Sequence, residues 1–438
     1  MLQMSIPTQP IKGARDFYPE DMRLRNYIFE IWRESCELFG YEEYDAPILE
    51  ATELYLQKGS EEIINEQTYS FKDRGDRNLT LRTEMTPSVS RMVAARRQEL
   101  AYPLRLYSIP QCWRYERMQR GRGREFYQLN VDLFGDETLA AELEMIQIAD
   151  RILKKFGAKR SMYTVKLNSR KLMDSAFTNL LKLDATQAST MGRLIDKMHK
   201  MATPAFVAQA ESVMTPSQRE AGALDALLSI LRAPSLSELP EALRDHDSVV
   251  QLGKLIDALS GHGIMNVEFD PTLLRGFDYY TDIAFEVFDT HPDNKRSMFG
   301  GGRYDGLVGL FGVDPVPTIG FGMGDITLKN FLEVHDLLPK LHSTTELYLM
   351  TVGDVEKAAS PVISELREMG VKVAVDTTDR KPAKKIKSAA KHDIRYVLVV
   401  GQDEIELGQY TLKNIVTGTE EKHSLQRIVS IVEDYREK

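Results

Sequence analysis

A chain of 438 residues is too long for one hydrophobic core and predicts two or three domains. Its 28% charged and 42% hydrophobic residues fit an ordinary globular protein, and its net charge of −9 argues against nonspecific coating of nucleic acid, though one RNA could still dock on local basic patches. No window has the apolar run of a membrane helix, residues 1–12 lack a signal-peptide pattern, and Cys36 and Cys112 suit neither a metal site nor a disulfide framework, so a reducing cytoplasm is expected.

Residues 21–39 predict an amphipathic helix, with Leu24, Ile28, Ile31, Trp32 and Leu38 near helical spacing and Gly40 closing it. Residues 41–48 alternate and contain Pro47, which suits an edge strand or a bend. Between 69 and 134, short strand-like runs alternate with charged loops and no regular crossover helices, which predicts an antiparallel sheet. Residues 140–156 predict a helix. Residues 171–259 are rich in Leu, Ala, Met, Lys and Glu, broken at Thr215-Pro216 and Ala233-Pro234, and predict a helical insertion. Sheet-like sequence resumes over 267–288, passes a Gly-rich stretch at 299–312 and ends in a helix over 325–337. The tail alternates strands (346–351, 371–375, 396–400, 409–414) with helices (355–369, 382–391, 425–435), the pattern of a small α/β domain.

Four segments carry candidate chemistry. Residues 112–132 hold two strand-like ends around a loop with Arg117, Arg120, Arg122 and Arg124. Four guanidiniums in one loop repel each other unless an anion joins them, and Arg pairs phosphate in bidentate geometry. On the following strand Gln128, Asn130 and Asp132 share a face. A solvated hairpin with surface charges accounts for the same residues about as well. In the segment 81–87, Glu84 and Thr86 point the same way and could bind an ammonium group; equally, Thr86 could cap a helix over 88–97. Arg275 and Gly276 precede Tyr279 and Tyr280, which read as a ligand approach or as a strand with half-buried tyrosines. The run Gly300-Gly301-Gly302 before Arg303 and Tyr304 is neither a P-loop nor, with Gly320, Gly322 and Gly324, a dinucleotide fingerprint. The eight histidines show no paired metal-ligand spacing, and no structural metal is expected.

In this order the segments resemble the class II aminoacyl-tRNA synthetases and, within them, the histidine branch. The resemblance starts at Gly13-Ala-Arg-Asp-Phe-Tyr-Pro19 and runs to the C-terminus. It implies an α+β catalytic domain with an antiparallel sheet (1–167 and 260–337), interrupted by the helical insertion (168–259) and followed by an α/β anticodon-binding domain (343–438). The helix before Pro47 resembles motif 1, the dimer-forming segment, and 114–132 resembles motif 2. The implied reaction is activation of histidine with ATP and transfer to tRNA, by a cytoplasmic homodimer with Mg²⁺ accompanying ATP and no membrane partner.

Carried onto matching positions, Arg114 grips the α-phosphate and the histidine carboxylate, and Arg275 is the further catalytic arginine. Glu84, Thr86 and Gln128 hold the ammonium, Asp132 and Tyr280 clamp the imidazole, and Tyr279 and Tyr304 wall the pocket. Glu116 and Phe126 meet adenine, and Arg122 reaches the outer phosphates. Arg117 and Gln119 face the tRNA acceptor end. The tail cluster of Arg380, Lys381, Lys384, Lys385, Lys387 and Lys391 suits anticodon-stem phosphates, with Lys384 and Lys387 the chosen contacts; a solvated helix face explains any single lysine nearly as well. The insertion is expected to clamp the acceptor stem. One departure stands out: Thr327 occupies the position of motif 3's ATP-binding arginine, behind Asp325 and Ile326, so Arg122 or Lys329 is expected to compensate. Loss of that arginine keeps a rival open, a non-catalytic synthetase-like regulatory subunit of ATP phosphoribosyltransferase. The retained Arg114, Glu84, Arg275 and tail favour the enzyme, and the Asp132 and Arg275 segments disfavour another amino acid.

Overall fold

The computed structural model describes residues 7–56, 67–117, 119, 121–274, 280–294 and 296–436. They form two units: one holds the segment up to Asp16 with Arg25–Leu338, the other Phe17–Leu24 with Pro339 onward.

The first unit is built on strands β1 (Glu42–Glu43), β2 (Leu49–Ala51), β3 (Ser70–Lys72), β4 (Asn78–Leu81), β5 (Leu104–Ser108), β6 (Gln111–Trp113), β7 (Glu125–Phe134), β8 (Tyr163–Ser169), β9 (Val267–Phe269), β10 (Ile283–Asp289), β11 (Ser297–Arg303) and β12 (Thr318–Gly324). The main sheet runs β1-β5-β7-β12-β11-β10-β8-β9, with β6 paired to β7, while β2, β4 and β3 form a small separate sheet. Pairing in the main sheet is antiparallel except at its two edges, where β1–β5 and β8–β9 are parallel. Parallel neighbours need a long crossover. The first crosses by way of the Thr86–Ala95 helix and the second by way of the helical insertion. Around Pro47 the expected strand is reduced to β1, and the chain bends before β2.

The strand β7 sorts its residues by parity. Leu129, Val131 and Leu133 are fully buried on one face, with Phe285, Phe299 and Phe321 of the neighbouring strands forming a ring cluster on that same side of the sheet. The Leu139–Lys155 helix packs against this sheet at β12. Its Glu142 accepts two hydrogen bonds from Arg303 of β11, at 2.6 and 2.9 Å, with both side chains almost wholly buried (6% and 4% exposed). The Pro19–Glu37 helix buries Ile28, Ile31 and Trp32 as its spacing predicts. The insertion forms helices including Ala185–Asp196, Thr203–Val213, Ala223–Arg232 and Asp247–Gly261. Its break at Thr215-Pro216 is a capping box, in which Thr215 and Gln218 exchange bonds of 3.3 and 2.8 Å. Both cysteines are free and buried, and burial pushes the Cys112 thiol up to about 12. Among the described residues no helix is long and apolar enough to cross a membrane.

In the second unit β13 (Leu347–Thr351), β14 (Val373–Asp376), β15 (Tyr396–Val400), β16 (Tyr410–Asn414) and β17 (Glu420–His423) pair in the order β14-β13-β15-β16-β17. Leu347, Leu349, Leu366, Leu398, Val400, Ile428 and Val432 lie in its core. The Pro382–Lys391 helix does not present all its cations. Lys385 is buried, donating to the carbonyls of Thr351 and Asp376 at 3.1 and 3.0 Å, and Arg380 pairs with Asp376 at 2.7 Å. Lys385 is therefore corrected from RNA-facing to structural, while Arg380 keeps an exposed side chain beside its ion pair. Lys381, Lys384, Lys387 and Lys391 are exposed.

Arg303→Ala would strand Glu142 as an uncompensated buried carboxylate. We expect a loss of about 3–5 kcal/mol in urea unfolding, largely recovered when Arg303→Met is combined with Glu142→Leu. Equal instability of the single and double variants would contradict this account.

Candidate active site

The face of β7 opposite the core carries Phe126, Gln128, Asn130 and Asp132. On β12 the positions paired with Gln128, Asn130 and Asp132 are Gly324, Gly322 and Gly320, and on β11 Gly300 and Gly302 face Gly322 and Gly320. Side chains are absent from the middle of this face because none would fit. A Cβ on Gly320 would lie 2.5 Å from an Asp132 carboxylate oxygen and 2.6 Å from the Val131 carbonyl. One on Gly322 would lie 2.3 Å from the Gln128 amide nitrogen. Two strands thus floor a recess, and polar groups ring it.

Asp132 is 2% exposed. Its Oδ1 accepts a short hydrogen bond from the Tyr304 hydroxyl and its Oδ2 faces the Tyr44 hydroxyl at 3.5 Å. Burial pushes its carboxyl up to about 7 despite both hydroxyls, which oppose the shift. As pH rises from about 4 towards 7 the unfolded chain releases this proton while the folded chain keeps it, so the residue lowers stability across that window. Glu84 keeps partial exposure but is surrounded by protein; burial raises its pKa, and the Arg114 charge pulls it back. Burial likewise raises Tyr280, with Glu286, Glu84 and Asp132 adding to the shift. A carboxyl pair, a phenol and a guanidinium therefore converge electrostatically. The Gln128 Oε1 atom is buried without a hydrogen-bond partner in the protein. A lone acceptor of this kind, beside a partly desolvated carboxylate, suits a positively charged ligand.

Thr86 does not cap its helix. The helix is Thr86–Ala95, its N-cap is Met85, and no side chain caps it, so that alternative falls. Arg114 donates to the Thr83 carbonyl at 3.0 Å and its guanidinium lies 5.3 Å from the centre of the Phe126 ring. Glu116 and Arg122 bridge each other at 2.8 Å. Arg124 stacks on Tyr115 at 3.9 Å and bonds the Glu116 carbonyl. The repulsion expected among the loop arginines is therefore relieved within the chain at two positions. Arg117 is exposed, and Gln119 accepts a bond from Arg296. Arg120, Arg275 and Tyr279 lie outside the described residues.

A second network braces the site from beside it. Buried Asp325 accepts from Arg15 at 2.8 Å and from the Tyr127 amide at 3.0 Å, while Glu125 accepts from the Arg15 amide at 3.1 Å and from Gln111 at 2.7 Å. Burial still raises the Asp325 carboxyl, against the nearby Arg15 charge. Sequence reasoning missed Tyr44, Glu125, Glu286 and Arg296 as parts of this region. Only the alternation in 283–289, which sets Glu286 opposite Gly300, carried any signal.

A mostly antiparallel sheet with this polar face, joined to a C-terminal α/β unit, is the architecture of a class II aminoacyl-tRNA synthetase. Residues 13–325 match the family model described as histidyl-tRNA synthetase, and 346–435 match an anticodon binding domain. The chain belongs to the histidyl-tRNA synthetase family. It is 40% identical to the histidine–tRNA ligase of Leptospira biflexa (95% of each chain covered) and 35% identical to that of Thermoplasma volcanium (97% and 98% covered). The solved histidyl-tRNA synthetase of Nostoc sp. PCC 7120 shares the fold, with a TM-score of 0.80 at 20% identity, covering 98% of this chain and all of that one. An ATP phosphoribosyltransferase regulatory subunit/histidyl-tRNA synthetase from Bacillus halodurans C also shares it, with a TM-score of 0.74 at 22% identity over 91% of this chain and 99% of that one.

Gly320→Ala should cost about 1–3 kcal/mol, because its Cβ meets backbone as well as Asp132. We expect a lowered melting temperature together with loss of histidine binding. Calorimetry showing wild-type stability and affinity would refute the steric floor.

Proposed function

We propose that this glycine-floored face is where histidine and ATP are joined before transfer to tRNA. The chain is a histidine–tRNA ligase, and its anticodon domain favours the catalytic enzyme over a regulatory subunit. The observation that supports the site is the polar row Gln128–Asn130–Asp132, with Asn130 and Asp132 buried, whose paired positions on β12 are all glycine.

In this reading the histidine ammonium sits between Glu84, Thr86 and the unpaired Gln128 Oε1. Asp132 accepts one imidazole N–H, held in place by Tyr304 and Tyr44, and Tyr280 meets the other ring nitrogen. Tyr279 completes the wall. Pairing both nitrogens discriminates strongly, because an analogue that leaves Asp132 unpaired in this recess incurs its desolvation unrelieved. Adenine lies on Phe126 beside Glu116, whose bridge to Arg122 stays in place. Arg114 then sits between the α-phosphate and the amino-acid carboxylate, and Arg275 is the further catalytic arginine.

The carboxylate attacks the α-phosphorus and pyrophosphate leaves. No covalent enzyme nucleophile is required; fixed guanidiniums stabilise the growing phosphate charge and orient the in-line geometry. In the second step a ribose hydroxyl of the tRNA end attacks the adenylate carbonyl and AMP leaves. Mg²⁺ would accompany ATP and share the charge on its phosphate oxygens. Arg117 and Gln119 face the acceptor end, and exposed Lys384 and Lys387 meet the anticodon stem. The segment resembling motif 1 makes the enzyme a homodimer, working in the cytoplasm. The domain limits are 1–167 with 260–337, 168–259 and 343–438.

Histidine-dependent ATP–pyrophosphate exchange by the wild-type chain, followed by tRNA charging, tests the reading; absence of exchange rejects it. Asp132 must be ionised to accept an imidazole N–H, so KM for histidine should fall as pH rises from about 6 to 8. Asp132→Asn should raise that KM by about ten-fold or more and leave only the slope of the substrate's own imidazole. An unchanged pH profile in the variant would assign the titration elsewhere. Lys384→Ala with Lys387→Ala should raise KM for tRNA and weaken its salt dependence, with exchange unaffected; a charging assay across salt concentrations reads both.

A further inference from the structure

The site leaves the outer end of ATP without its family arginine. Thr327 does not substitute for it, since its hydroxyl donates to the Met298 carbonyl at 2.7 Å and contacts the Gly324 carbonyl at 3.2 Å. The loop 114–125 closes directly over this spot. A Cβ on Gly121 would lie 3.6 Å from the Thr327 methyl and 3.7 Å from the Asn330 amide. The Arg122 amide donates to the Gln119 carbonyl at 2.9 Å, which holds Gln119 next to that contact.

Arg122 belongs to this segment, Arg296 bonds Gln119 beside it, and Lys329 lies two residues beyond Thr327 in the sequence. Arg122 is committed to Glu116 at 2.8 Å, and Lys329 has Glu333 at 3.7 Å. Arg296 is held differently: its Nη2 donates to the Gln119 side-chain oxygen at 2.8 Å. An amide orients a guanidinium without cancelling its charge, whereas a carboxylate does both. Arg296 also stands two residues before Met298, whose carbonyl anchors Thr327. Two residues of extended chain span about 7 Å, within reach of an arginine side chain.

We propose that Arg296, positioned by Gln119, binds the terminal phosphate of ATP in place of the motif 3 arginine. Gln119 thereby serves the nucleotide as well as the RNA end. The β10–β11 connection delivers from one side of the recess the charge that the helix starting at Asp325 lacks. Arg122 acts nearer the base, where Glu116 holds it. The proposal rests on ATP lying over Phe126.

Pyrophosphate exchange by the wild-type chain comes first, since its absence would reject the ATP site as a whole and not this assignment. Arg296→Ala should then raise KM for ATP about ten- to a hundred-fold while KM for histidine stays within about two-fold. Arg296→Lys should recover part of the loss. The decisive reading is competition by ADP, which lacks the terminal phosphate. The wild type should prefer ATP, and Arg296→Ala should lose that preference while ADP affinity is retained. Parallel loss of ATP and ADP affinity would indicate a structural role and overturn the proposal. So would an intact preference in Arg296→Ala, its loss in Arg122→Ala or Lys329→Ala alone, or an effect confined to KM for tRNA. If Arg296→Ala lowers the melting temperature, Gln119→Ala in the same competition decides: a weakened ATP preference supports the positioning and an intact one refutes it.

Discussion

A carboxylate held at 2% exposure above the glycines of two strands is the constraint on which the rest of this structure depends. Water is excluded from Asp132 strongly enough to push its carboxyl up to about 7, and two phenols only partly offset that cost. The fold tolerates the expense because everything behind the sheet is well packed. Leu129, Val131 and Leu133 alternate with the polar row on the same strand, and the Arg303–Glu142 pair ties the sheet to its covering helix. A single strand thus divides its residues between core and site, and the register with β12 decides which face is empty.

The network around Asp325 explains how the site survives a changed motif 3. Asp325 joins the segment before residue 17 to β7 and to the start of the Asp325–Val334 helix, through Arg15 and the Tyr127 amide. The substituted residues are therefore employed in holding strands together. The same exchange leaves Thr327 small enough for Gly121 to pack against it, which brings the loop and Arg296 close to one another.

Much of this was legible in the sequence. The period-two pattern of 126–134 announced both faces of β7, and helical spacing with Gly40 placed the first helix to within two residues at either end. Three kinds of feature were not legible. Lys385 sits among lysines and is indistinguishable from them by type, yet it turns inward to two carbonyls. The strand Glu420–His423 is absent from the predicted elements, since charge on an edge strand serves to discourage further pairing rather than to fill a core. Tyr44 and Arg296 reach the site only through pairings distant in sequence, which composition and spacing cannot reveal. The three consecutive glycines were visible, but their meaning was not: it depends on which residues stand opposite.

The pairing of Asp132 with Gly320 also sets an order of events during synthesis. Roughly 190 residues separate the two strands, and at ribosomal speeds of about 5–20 residues per second β12 emerges some 10–40 s after β7. Until then one long edge of the central ribbon is unsheathed, with its hydrogen-bonding groups open to any passing chain. The intervening helices can form from local contacts in that interval. The recess itself is among the last things the nascent protein completes, so a chain truncated within the insertion would carry half of an active site and an uncovered seam.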